Sequence, residues 1–137
     1  MLRVRIGRIT VSSLASKMRE SVSNRNPSDR RPVDLVHLAK QTLGDRALEV
    51  EILILFEQTA RGFLHKLQAS ENDKEIILFL HSLKGASAGV GANCIAEVSR
   101  VAEVQFREEG AISTEMMSDI EFAVEEASAF IADLLRD

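Results

Sequence analysis

The stretch DKEIILFLHSLKGASAGVG, residues 73–91, decides how this 137-residue chain folds. Within it Ile76, Phe79, Leu80, Leu83, Ser87 and Val90 recur at steps of three and four, the mark of an α-helix with one apolar stripe. His81 falls on the other side of that helix. Residues three and four places further along share its face, so Lys84 and Gly85 flank it directly, and Ile77, Leu78 and Ala88 complete the surface. A glycine inside a helix costs up to ~1 kcal/mol relative to alanine. What Gly85 offers in return is a notch beside the imidazole through which another molecule can approach. Gly89 and Gly91 bracket Val90, weaken the helix end and let the chain turn there.

The segments on either side also read as helices. Pro32 suits the first turn of a short helix carrying Val33, Leu35, Val36, Leu38 and Ala39, which stops at Gly44. Asp45 is placed to cap a long helix over about residues 46–69, with Leu48, Ile52, Leu55, Phe56, Thr59, Phe63, Leu64 and Leu67 as its apolar face. Ser70, Glu71 and Asn72 form the turn into the quoted stretch. Beyond Gly91, Asn93 is the expected cap of a helix over about residues 94–109, with Ile95, Val98, Val101, Ala102 and Phe106 inward and Gly110 as its stop. Ser113 or Thr114 starts the last helix, whose face is Met117, Ile120, Phe122, Val124, Ala127, Phe130, Ile131 and Leu134. The expected fold is all-α: an antiparallel four-helix bundle with a short additional N-terminal helix over one end.

Composition narrows the function. Residues 1–31 hold eight Lys and Arg against two Asp and Glu, which leaves nine against nineteen in the remainder. An acidic body argues against nucleic acid, whose binding needs positive charge as a face on the folded part. With no Trp or Tyr and six Phe, the core is mainly aliphatic, and an aromatic ligand cage or base-stacking surface is disfavoured. No apolar run approaches the ~20 residues of a membrane span. Cys94 is the sole cysteine, so an internal disulfide and a cysteine metal site are excluded; a reducing, cytoplasmic setting is expected. The prolines, turn formers and charges of residues 23–32 read as a linker, so residues 1–31 are expected to be a flexible basic leader and residues 32–137 the helical domain. That leader also has the Arg- and Ser-rich, acid-poor look of an organelle transit peptide.

Glu103 is the candidate partner of His81. A neutral imidazole that reacts through one ring nitrogen carries its proton on the other, and an acceptor for that N–H fixes the tautomer. The turn near Gly91 is about equally distant from His81 and Glu103 along the chain, and helix rise is the same on both sides, so the two residues should reach one level of the bundle. His37 and His65 lack such company, and no histidine pair has metal-ligand spacing.

The segment from His81 to Glu103 resembles the signature of histidine phosphotransfer (HPt) domains, which pass a phosphoryl group between receiver-domain aspartates in two-component signalling. It has histidine, lysine and glycine at the first, fourth and fifth places, a second glycine, apolar residues at Ile95, Val98 and Ala102, and a carboxylate at Glu103. The resemblance implies His81 as phosphoacceptor, Lys84 as the phosphate-side cation, Gly85 as the clearance residue and Glu103 as the imidazole's partner. It covers residues 33–137 in length and layout. Gly89 departs from the family's frequent small polar residue and Ala102 from its larger aliphatic. A member has no cofactor of its own, because magnesium belongs to the receiver domain. Its partners are receiver domains of response regulators and hybrid histidine kinases, met through a surface that includes Ile77, Leu78 and Ala88. No Gly-rich nucleotide loop or kinase motif is present, so no autonomous kinase activity is expected. The alternative is a helical adaptor that docks receiver or kinase domains without being phosphorylated. A monomer is expected, since the bundle is complete by itself.

Overall fold

A computed structural model describes residues 31–136; the leader expected over residues 1–31 lies outside the described residues except for Arg31. Five helices follow in order: α1 Leu35–Thr42, α2 Arg46–Ala69, α3 Asp73–Val90, α4 Asn93–Glu109 and α5 Thr114–Leu135. Among the described residues there is no strand. α2, α3, α4 and α5 each pack on the next, and α5 closes back on α2, while α1 leans on α2. The expected four-helix bundle with a short N-terminal helix is the architecture found.

The helix starts follow from side chains that take the first free amides. Asp34 accepts from Val36 N at 3.0 Å and His37 N at 3.1 Å, Asp45 from Leu48 N at 3.1 Å, Asn72 from Lys74 N and Glu75 N, and Ser113 from Met116 N. Two expected starts differ. Pro32 lies before α1 rather than in its first turn, because the Asp34 carboxylate sets the boundary and leaves Val33 as a fully buried plug ahead of it. Asn93 is the first helical residue of α4, not its cap. Ala92 holds the cap position with no side-chain bond, drawn inward to complete burial with its N–H on Ser87 O at 2.8 Å.

That tight joint between α3 and α4 turns on Gly91. Its φ of +84° is a left-handed conformation, and a Cβ there would lie 3.0 Å from Asp34 O. Glycine satisfies both the backbone angle and the close approach. Asp34 N then bonds Gly91 O at 2.9 Å and His37 Nε2 pairs with Gly89 O at 3.1 Å, so α1 is fastened to the C-terminal end of α3.

The core stripe of α2 is rotated from the expected one. Leu53, Phe56, Ala60, Leu64 and Leu67 are buried, whereas Leu55 and Leu48 are 64% and 40% exposed. The small Ala60 sits at the centre of the inner face, and Leu55, five residues back, is turned about 140° from it. Phe122 of α5 is likewise exposed, because Ile120, Val124, Ala127 and Ile131 form the buried line and Phe122 lies across the helix from it. The α3 stripe is as expected, with Leu80, Leu83 and Ser87 fully buried.

Candidate functional site

Burial of Leu80 and Leu83 fixes the rotation of α3, and with it the direction of His81. The His81 side chain is 67% exposed. Leu78 and Ala88 are exposed and Ile77 half-buried on the same side of the helix. A Cβ built on Gly85 meets nothing within 4 Å, so the space beside the imidazole is open to a partner. Gly85 is therefore not required by packing inside this chain.

Across the joint, α4 brings Glu103 to the level of His81. The carboxylate is buried, with Oε1 3.1 Å from Lys84 Nζ and 3.9 Å from His81 Nδ1. The second distance is too long for a hydrogen bond. On the other oxygen, Arg107 Nη2 donates to Oε2 at 2.9 Å. The structure thus brings His81, Lys84, Gly85 and Glu103 together, and in this arrangement Oε1 is engaged by Lys84.

Burial by itself would push the Glu103 carboxyl up, toward its neutral form. The hydrogen bonds from Arg107 and Lys84 and the charges of both cations act the other way and hold it below the ordinary glutamate value. A negative charge is therefore kept 3.9 Å from Nδ1 of a largely exposed ring. Lys84 is half-buried against Glu103 instead of standing free at the surface.

Arg107 belongs to the cluster and was not among the expected residues. Its signal in the sequence is the i, i+4 spacing from Glu103 on one helix, which becomes informative only once Glu103 is known to be buried. His37 is tied to the end of α3 through its Nε2, while His65 is exposed. A separate groove of about 390 Å³ runs between α2 and α5, lined by Ile54, Arg61, Ala129 and Leu135 among others, and shares no residue with the His81 cluster. Among the described residues, no three or more His, Cys, Asp or Glu are grouped as a metal ion would need, and no helix is long and apolar enough to cross a membrane.

The chain matches no family model and no curated protein. Among solved structures it is similar to the X-ray structure of a rice protein assigned as a histidine-containing phosphotransfer protein, with 20% identity and a TM-score of 0.55, covering 97% of this chain and 89% of that one. At this identity the likeness establishes a shared fold, and it is the helical bundle expected from the apolar periodicity of the chain.

Proposed function

We propose that this chain is a histidine phosphotransfer protein that accepts a phosphoryl group on His81 from the aspartyl phosphate of one receiver domain and returns it to the aspartate of another. The observation that carries the reading is the exposed His81 imidazole with open space at Gly85 on one side and the ionised Glu103, paired to Lys84, on the other. The fold shared with the rice protein supports it.

In the forward step the lone pair of His81 Nε2 attacks phosphorus and the bond from phosphorus to the aspartyl oxygen breaks, releasing a carboxylate. The ring keeps its proton on Nδ1 and becomes an imidazolium bearing a phosphoryl dianion. Total charge is unchanged, and no proton is needed from solvent. Such transfer passes through a loose, in-line transition state in which positioning and electrostatics dominate. Glu103 faces the positive charge that develops on the ring, and Lys84 is within a side chain's reach of the phosphoryl oxygens. The receiver domain supplies the magnesium and the acidic pocket. Leu78, Ala88 and Ile77 form the apolar part of the docking surface, suited to a transient complex.

The test is incubation with phosphorylated receiver domains. The expected result is acid-labile label on the chain that disappears in His81→Gln with the helical fold retained. Absence of label on the wild type across a panel of receivers would leave an unphosphorylated adaptor as the better reading. Labelling by ATP and magnesium alone would instead point to a kinase activity that this reading excludes.

A further inference from the structure

We infer that a phosphoryl group arriving on His81 exchanges the partner of Glu103 Oε1: Lys84 leaves for the phosphoryl oxygens, the Nδ1–H of the phosphorylated ring takes its place, and Arg107 remains on Oε2 as the fixed anchor. This rests on the phosphotransfer reading above and concerns how that site is regulated.

Two donors compete for one oxygen. Lys84 Nζ holds Glu103 Oε1 at 3.1 Å, and His81 Nδ1 waits at 3.9 Å, beyond bonding distance but close enough to take over by a small ring movement. Oε2 is occupied separately by Arg107 at 2.9 Å. In the resting protein the carboxylate faces two cations, and Glu103 makes no hydrogen bond to His81 Nδ1. Transfer adds a dianion on the solvent side of the ring and a positive charge on the ring itself. Lys84 then chooses between a phosphoryl dianion and a monoanion it already shares with Arg107, and electrostatics favour the dianion. Its long, flexible stem reaches either one. The vacated Oε1 meets an imidazolium N–H, so Glu103 again faces two cations.

Arg107 makes the exchange tolerable. Glu103 is only 7% exposed, and a carboxylate at that depth that lost its sole cation would be costly. With Oε2 pinned from the same helix, the carboxylate stays ionised and in place while its other partner changes. Arg107 is accordingly a positioning residue, acting on the ring through Glu103. The consequence is timing: the bond that fixes the Nδ1–H tautomer forms with phosphorylation and not before it.

The experiment uses the full chain and the imidazole resonances of His81. In the unphosphorylated protein, Lys84→Met frees Oε1, so the His81 ring-nitrogen shifts should move toward the Nδ1–H tautomer, and by less than half as much in the Glu103→Gln background. An equal change in both backgrounds would mean that Oε1 is not what the ring gains, and would overturn the exchange. A second arm phosphorylates the protein with phosphoramidate. Nδ1–H should then become protected from solvent exchange, with protection lost in Arg107→Ala and restored in Arg107→Lys. Phosphorylation without new protection overturns the exchange and leaves the phosphotransfer reading intact. Failure of phosphorylated receiver domains as well as phosphoramidate to label His81 overturns that reading, and the exchange with it, whatever the tautomer comparison shows.

Discussion

Lys84 of α3 and Glu103 of α4 meet at 3.1 Å across the joint between the two helices, one half-buried and the other almost fully so. The contact ties the helix that presents His81 to the helix that stands behind it. It also means that the candidate phosphate-side cation is already engaged before any phosphoryl group arrives.

Removing that cation should slow transfer without unfolding the bundle. Lys84→Ala is expected to reduce receiver-to-His81 transfer roughly tenfold to a hundredfold, the worth of one charge-assisted hydrogen bond. Its melting temperature should stay within a few degrees of wild type, because Glu103 keeps Arg107 and the lost pair is partly solvated. Stopped transfer assays with thermal melts separate the two effects; wild-type rates would remove Lys84 from the mechanism.

Gly85 offers a trade between stability and partner access. A Cβ there meets no atom within 4 Å, so Gly85→Ala should raise the unfolding free energy by roughly 0.5–1 kcal/mol through helix propensity. Transfer should fall, and fall further in Gly85→Gln, because the partner loses its clearance. Urea unfolding that shows Gly85→Ala to be destabilising would contradict the open notch.

Glu103 sets an acid limit on stability. Its folded pKa is lowered, first against burial and then by Arg107 and Lys84, so the ionised form contributes stability above the unfolded glutamate value of ~4.3. That contribution is full at neutral pH and is lost as pH falls through the lower folded value. Denaturant unfolding of wild type and Glu103→Gln between neutral pH and pH ~3 should show a gap that favours wild type at pH 7 and narrows on acidification. A gap that widens toward acid would reverse the sign of the assignment.

Gly91→Ala should be more damaging to the fold than either change at Gly85. It combines strain at φ +84° with a Cβ 3.0 Å from Asp34 O, and a cost of about 1–3 kcal/mol is expected. Hydrogen exchange should locate the loss at α1 and the end of α3, where Asp34 and His37 are fastened. Uniform loosening of all helices would indicate a different cause.

The helix order and the outward direction of His81 were legible because the stripe through Leu80 and Leu83 is unambiguous and sits on a helix with strong end signals. α2 was harder. Its sequence is apolar on more than one side, so Leu55 and Leu53 compete for the core, and only packing against α3 and α5 decides between them. The start of α4 was obscured for a related reason: burial of Ala92 outweighed the capping preference of Asn93. At the site, equal spacing from Gly91 placed Glu103 beside His81, but periodicity carries no information about which cation holds which oxygen. The shared claim on Oε1 and the role of Arg107 appear only in three dimensions.

His81, Lys84 and Gly85 on α3, with Glu103 and Arg107 on α4, all lie on one helical hairpin whose arms are joined through Gly91 and Ala92. The candidate site is therefore contiguous in the chain, held in register by a joint that is part of the same piece. α1, α2 and α5 serve as a chassis that shields its apolar side. Such a unit is portable: residues 73–109, transplanted onto another bundle with a compatible inner face, should carry their charge arrangement with them.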